Sequence, residues 1–351
     1  MAPSDRDLLL PSGDDDARTS TRTKALVTGS VALGALITGA VLEKARHRKY
    51  PLPVRLPRAV DAAVRELEIM EGVTRFYYRA GEGTPIVFLH GINAGGSTFE
   101  MKPLFDYFAS TTNRPLFAID WLGFGKSDRP PVNYAPGLYQ RQLRRTLSEC
   151  VGEPADVVTL SLSSEYAATV ANAFPFLFRH LVLIAPTAMG RNREPARLQS
   201  ALVSAAGRAG MFELMFSRMS SRESLRSFYA RNVFAPGTTV SDDLVDYAFL
   251  TTHIRGAHFA PRRFIQGALF MRDYATRGYR SLSVPTLILV PERHAGTIQH
   301  FEMADEVAAA NSNLRVERLP LGLLPHWEDA AAVGAVLERF LAPAGTVEET
   351  V

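Results

Sequence analysis

VVTLSLSSEYAA, Val157 to Ala168, runs from a β-branched apolar segment straight into a small-residue helical segment, with Ser161, Ser163 and Ser164 packed at the joint. A strand that enters a helix through a short turn is the repeating unit of a parallel α/β sheet. Outward from this joint the same alternation recurs. FYYRAG, PIVFLHG, PLFAIDW, DVVTLSLS, HLVLIAP, PTLILVP and LRVERLP are short apolar runs, and helical stretches such as MKPLFDYFAS and SEYAATVANAF lie between them. The expected fold class is α/β, a doubly wound and mostly parallel sheet. From about Thr187 to Ala260 the rhythm breaks into Met-, Phe- and Arg-rich helical segments, including MFELMFSRM and SLRSFYARNVF, which are expected to form an inserted cap.

Composition narrows the function classes. With 39 basic against 36 acidic side chains the net charge is only +3, so no general basic surface for nucleic acid is expected. One cysteine, Cys150, allows no intrachain disulfide, and no Cys/His cluster has metal-ligand spacing, so neither a metal site nor a cofactor is expected.

The first residues divide into a polar tail over 1–24, a charge-free run ALVTGSVALGALITGAVL over 25–42, and a basic linker over 43–70. An uncharged run of about 18 residues is near the lower limit for crossing a bilayer, and it has no polar face. It is expected to be a single transmembrane anchor. Lys44, Arg46, Arg48 and Lys49 follow the run directly, which favours a cytoplasmic main domain over 71–343, with 344–351 as a tail. Export after signal-peptide cleavage is the rival, since Thr38 and Ala40 satisfy a small-residue cleavage rule.

Four motifs together resemble the α/β-hydrolase superfamily over roughly Glu71 to Pro343. They are LHGINAGGSTFE (89–100), DWLGFGKSDRP (120–130), the serine turn, and PTLILVPERHAG with the later LPLGLLPHWEDAAAVGAVLERFL. The resemblance implies a nucleophile in a G-x-S-x-G elbow. Ser163 is placed at its centre, with Ser161 and Glu165 standing where the two glycines belong. It also implies an oxyanion hole of two backbone N–H groups, those of Ile92 and Ser164, and a structural His90. The usual acid position after the seventh strand carries His294, and the usual base position after Gly322 carries Leu323.

A serine hydroxyl is a weak nucleophile without a base. Among the 8 histidines, His294 is the first candidate base, oriented by Glu292 or Glu165, followed by His326 and then His258. Two functions therefore stay open: a membrane-anchored serine hydrolase cleaving an ester or similar acyl bond of a small apolar substrate, or an inactive relative that binds a ligand or partner. Oligomeric state is not readable from the sequence.

Overall fold

The computed structural model describes residues 56–191, 211–294 and 299–342. The run 25–42 and its flanks lie outside these residues; among those described, no helix is long and apolar enough to cross a membrane.

The chain builds an 8-stranded sheet in the order β1-β2-β4-β3-β5-β6-β7-β8. The strands are β1 (Ala63–Ile69), β2 (Gly72–Arg79), β3 (Ile86–Leu89), β4 (Leu116–Asp120), β5 (Ala155–Leu160), β6 (Phe178–Ile184), β7 (Thr286–Pro291) and β8 (Leu314–Leu319). β1 and β2 pair antiparallel, β2 joins β4 antiparallel, and β3 to β8 run parallel. The doubly wound α/β expectation is met. Every residue of IVFL, ADVVTL and TLILVP in β3, β5 and β7 is buried, because helices cover both faces of the parallel part.

β1 corrects the expected linker over 43–70. AVRELEI alternates charged with apolar residues, and at the sheet edge only Leu67 and Ile69 turn fully into the core.

Helices α1 (Lys102–Thr111), α2 (Pro136–Arg145) and α3 (Ser163–Ala173) flank the first half of the sheet. Pro103 opens α1, and Leu104, Phe105 and Phe108 form its buried stripe. Between β6 and β7 come α4 (Met211–Met219), α5 (Arg222–Phe228), a π-helical turn over Tyr229–Val233, α6 (Asp242–Thr252), α7 (Phe259–Ile265) and α8 (Tyr274–Arg277). The helical insertion thus continues past residue 260 until β7 begins. The final elements are α9 (Ala304–Ala309), the single turn α10 (Pro325–Glu328) and α11 (Ala330–Leu341), whose first turn is capped by Asp329 accepting from the Ala332 N–H at 2.8 Å.

The cap sits directly on the loop after β3. Ala248 packs against Gly95, Thr251 Oγ1 donates to the Gly95 carbonyl at 3.2 Å, and Tyr247 stacks on Phe99 with centroids 4.3 Å apart. Phe212, Phe216 and Ala257 form a separate apolar cluster that includes Ala94 of that loop.

Candidate functional site

The strand-to-helix turn is strained at Ser161, not at Ser163. Ser161 has φ of 55°, in the region that costs an L-residue strain, and it directly follows the end of β5 at Leu160. Its N–H donates to the Ile184 carbonyl at 2.9 Å, and its carbonyl accepts the Ser164 N–H at 3.1 Å as α3 begins. The apex is therefore two residues earlier than expected. Thr159 and Ser163 stand at the small-residue positions on either side, and Glu165 does not.

Ser163 is closed in the core. Its Oγ donates to the His90 carbonyl at 2.5 Å and accepts from Trp121 Nε1 at 2.8 Å, so it links the loop after β3, the end of β4 and the start of α3. Ser164 also departs from expectation. Its N–H is used within the turn and its hydroxyl pairs with Thr159 Oγ1 at 2.8 Å. The amide that follows the apex is that of Leu162. Among the described residues, neither Leu162 nor Ile92 donates a backbone hydrogen bond outside the regular elements. Ile92 keeps its place in the loop after β3, buried beside Gly91.

That loop is tied down by Glu100. Its carboxyl accepts the Gly91 N–H at 3.0 Å and Asn93 Nδ2 at 2.6 Å, while burial pushes its pKa up to about 7 against these bonds. His90 is structural. Its Nε2 accepts the Trp121 N–H at 3.2 Å and its Nδ1 donates to the Gly91 carbonyl at 2.6 Å, a pattern that requires the neutral ring; burial pushes its pKa down to about 4.

The groups expected to activate the serine lie in three separate settings. His294 follows β7 and meets the Phe301 ring edge-on at 5.2 Å; burial and then the neighbouring His300 lower its pKa, while Glu302 opposes them. His326 is fully buried in α10 and its Nε2 donates to the Glu100 carbonyl at 2.7 Å, so it faces the start of α1. Burial pushes its pKa down to about 4. His258 lies in the cap between the rings of Phe216 and Phe259, with centroids 6.5 and 4.4 Å away.

Leu323, at the usual base position, is buried and its N–H donates to the Val233 carbonyl at 2.6 Å. Beside it, Glu328 Oε1 accepts from the N–H groups of Gly322 and Ala235 at 3.0 and 2.8 Å. The loop after β8 is thus stitched to the cap.

What reaches the Ser161 hydroxyl, among the described residues, is Gln299, whose Nε2 donates to Oγ at 2.8 Å. No sequence pattern marks Gln299. It lies in an irregular segment between β7 and α9, and only folding brings it across 138 positions to the turn. Glu165 is also reassigned: its carboxyl accepts from Thr187 Oγ1 and from the Met271 N–H at 2.7 Å, joining α3 to the loop after β6 and to the far end of the insertion. Among the described residues, no group of three His, Cys, Asp or Glu side chains is placed to hold a metal ion.

This arrangement has recognisable relatives. The model of a family described as the alpha/beta hydrolase family matches residues 86–336. An uncharacterized protein of Mycobacterium tuberculosis is 30% identical over 132 residues, 37% of each chain. The human 1-acylglycerol-3-phosphate O-acyltransferase ABHD5 is 28% identical over 116 residues, 32% of each chain. The matches to these curated relatives span only about a third of their length. A carboxylesterase from Bacillus subtilis superposes with a TM-score of 0.61 at 14% identity, covering 88% of this chain and 99% of its own.

Proposed function

The chain belongs to the alpha/beta hydrolase family, and from that premise we propose that it binds an apolar, acyl-type ligand over the Ser161 elbow without base-activated turnover. The observation that carries this reading is the Gln299 amide on the Ser161 hydroxyl, with Leu323 buried where the family's histidine belongs. An amide, whichever way its N and O are turned, takes no proton from a hydroxyl. A nucleophile without its base keeps only the acceleration that the oxyanion hole and binding supply, about 10³ to 10⁴ over water.

The apolar character of the ligand is supported by the cluster of Phe212, Phe216 and Ala257 at Ala94 on the oxyanion-side loop. Its acyl character is supported by the names of the human and Bacillus relatives. The charge-free run 25–42, with its basic flank, supports tethering to a membrane with the folded domain on the cytoplasmic side.

Excess fluorophosphonate probe, followed by intact-protein mass measurement, tests this reading. The expected result is no adduct over hours, with Ser161→Ala and Ser163→Ala indistinguishable from the parent. An adduct that maps to Ser161 and disappears in Ser161→Ala overturns it in favour of a Ser161–His294 hydrolase. That alternative rests on the place of His294 just past the end of β7, where burial lowers its pKa and so favours the neutral, proton-accepting ring.

A further inference from the structure

We infer that the outer face of α5, with the π-helical turn that follows it, rests on an anionic phospholipid bilayer; this builds on the tethering reading above and adds how the domain faces the membrane. Arg222 to Val233 is one helical stretch with two unlike faces. The inner face is satisfied. Leu225, Tyr229 and Val233 are buried, and Arg222 and Arg226 pair with Asp246 and Asp242 of α6. On the outer face Glu223, Ser227 and Arg231 follow one another at a spacing of four, as do Ser224, Phe228 and Asn232, and together they line an open groove of about 500 Å³.

Phe228 is 39% exposed, and Met219, three residues before α5, is 42% exposed. The other large apolar side chains exposed among the described residues stand elsewhere. Met70 is in the turn between β1 and β2, and Phe176 lies just before β6, at the opposite end of the sheet from the cap. Exposed apolar side chains interspersed with arginines make a surface that settles into the headgroup layer. Arg218 and Arg231 are exposed, make no ion pair among the described residues, and outnumber Glu223, the carboxylate of the groove. Residues 211–285 hold ten arginines and no lysine against six acidic side chains, a surplus larger than the +3 of the whole chain. The positive charge is thus concentrated on the cap, where it draws in anionic lipid.

The path of the chain brings the bilayer to this side. Leu56 and Pro57, the first described residues, are held at the cap: Lys126 Nζ donates to the Leu56 carbonyl, and Tyr247 OH of α6 donates to the Pro57 carbonyl at 3.0 Å. Thirteen residues, 43–55, separate Leu56 from the charge-free run and span at most about 45 Å. α5 packs directly on α6, and packed helix axes lie about 8–10 Å apart, so the outer face of α5 is within that reach.

The test is tryptophan fluorescence of the full chain reconstituted into vesicles of phosphatidylserine and acyl-brominated phosphatidylcholine, whose bromines quench an indole in contact with the bilayer. Phe228→Trp is expected to lose most of its added emission, against a baseline set by the parent's buried Trp121 and half-buried Trp327. Phe176→Trp is expected to keep its own. Arg218→Gln with Arg231→Gln is expected to lower the ratio of docked to undocked protein about 25-fold, about fivefold for each charge removed, and so to restore the Phe228→Trp emission. Omitting phosphatidylserine is expected to do the same. A Phe228→Trp signal quenched no more than the parent or Phe176→Trp, in a chain that resists carbonate extraction, overturns the docking inference and leaves the tether in place. That outcome counts equally whether the face is open to water or covered by a second copy of the chain. Quenching unchanged by the double substitution or by omitting phosphatidylserine overturns the inference of an anionic partner. Extraction of the parent by carbonate overturns the tethering reading, and the docking with it.

Discussion

Gly125→Ala is expected to cost about 4 kcal/mol or more and to leave little folded protein. Gly125 has φ of 47°, and a Cβ there would lie 2.0 Å from Asp120 Cγ and 2.1 Å from its Oδ1. The backbone conformation alone costs an alanine about 1–2 kcal/mol. The clash is worse, because the Asp120 carboxylate is fully buried and accepts the Thr98 and Lys126 N–H groups, each at 2.8 Å. Moving it orphans two donors and a buried charge, at about 1–3 kcal/mol for each unsatisfied group. Against a total stability of about 5–15 kcal/mol, that loss is decisive. Gly137→Ala is the matched control, since a Cβ there meets only Arg141 Nη1 at 3.6 Å at the half-buried start of α2. Urea midpoints measure both, and a Gly125→Ala midpoint equivalent to a loss below about 1 kcal/mol would sink the argument.

Acidification is expected to weaken the fold through His90 and His326. Both are fully buried and have pKa values depressed from 6.5 to about 4. A depressed folded-state value means that the stability they contribute is present above pH 6.5 and is lost as pH falls through 4. With about 1.4 kcal/mol for each pKa unit, the two together lose about 4 kcal/mol between pH 7 and 5. Glu100 works in the opposite direction. Its pKa is raised from 4.5 to about 7, so its contribution is fully present below pH 4.5 and is lost as pH rises through 7. Over the same interval it returns about 2 kcal/mol, leaving a net loss of about 2.

His326→Gln retains a donor for the Glu100 carbonyl and removes one of the two titrations. Its acid limb is expected to be nearly flat in thermal melts between pH 7 and 4.5, because the loss of about 2 kcal/mol that remains through His90 is offset by Glu100. Identical limbs for parent and variant would show that His326 is not one of the groups responsible.

The same buried network accounts for much of what was legible beforehand. PIVFLHG, HLVLIAP and PTLILVP are readable as strands because a parallel sheet covered on both faces makes its central strands almost wholly apolar, the polar residues Arg179, His180 and Thr286 falling where β6 and β7 begin. β1 was not readable, because an edge strand with one wet face looks like any charged linker. Glycines and acids in DWLGFGKSD are readable as a motif, but that Gly125 is there for the Asp120 carboxylate is visible only as a distance.

At the elbow, it is the resemblance to the family that marks His294 and Leu323 as standing at the expected acid and base positions. The apex is not marked in this way. With serines at 161 and 163 and no glycine on either side, the one-dimensional pattern admits two registers. The sequence by itself determined the fold class and the strand-end placement of the turn, and through the family resemblance it set His294 and Leu323 at the expected acid and base positions. Only the tertiary structure decided that Ser161 is the strained residue, that Ser163 spends its hydroxyl on His90 and Trp121, 73 and 42 positions away, and that Gln299 answers Ser161 from 138 positions away. The physical reason is that periodic burial is a local property written into side-chain order, whereas a φ value and a hydrogen-bond partner depend on what packs against the turn once the chain has closed on itself.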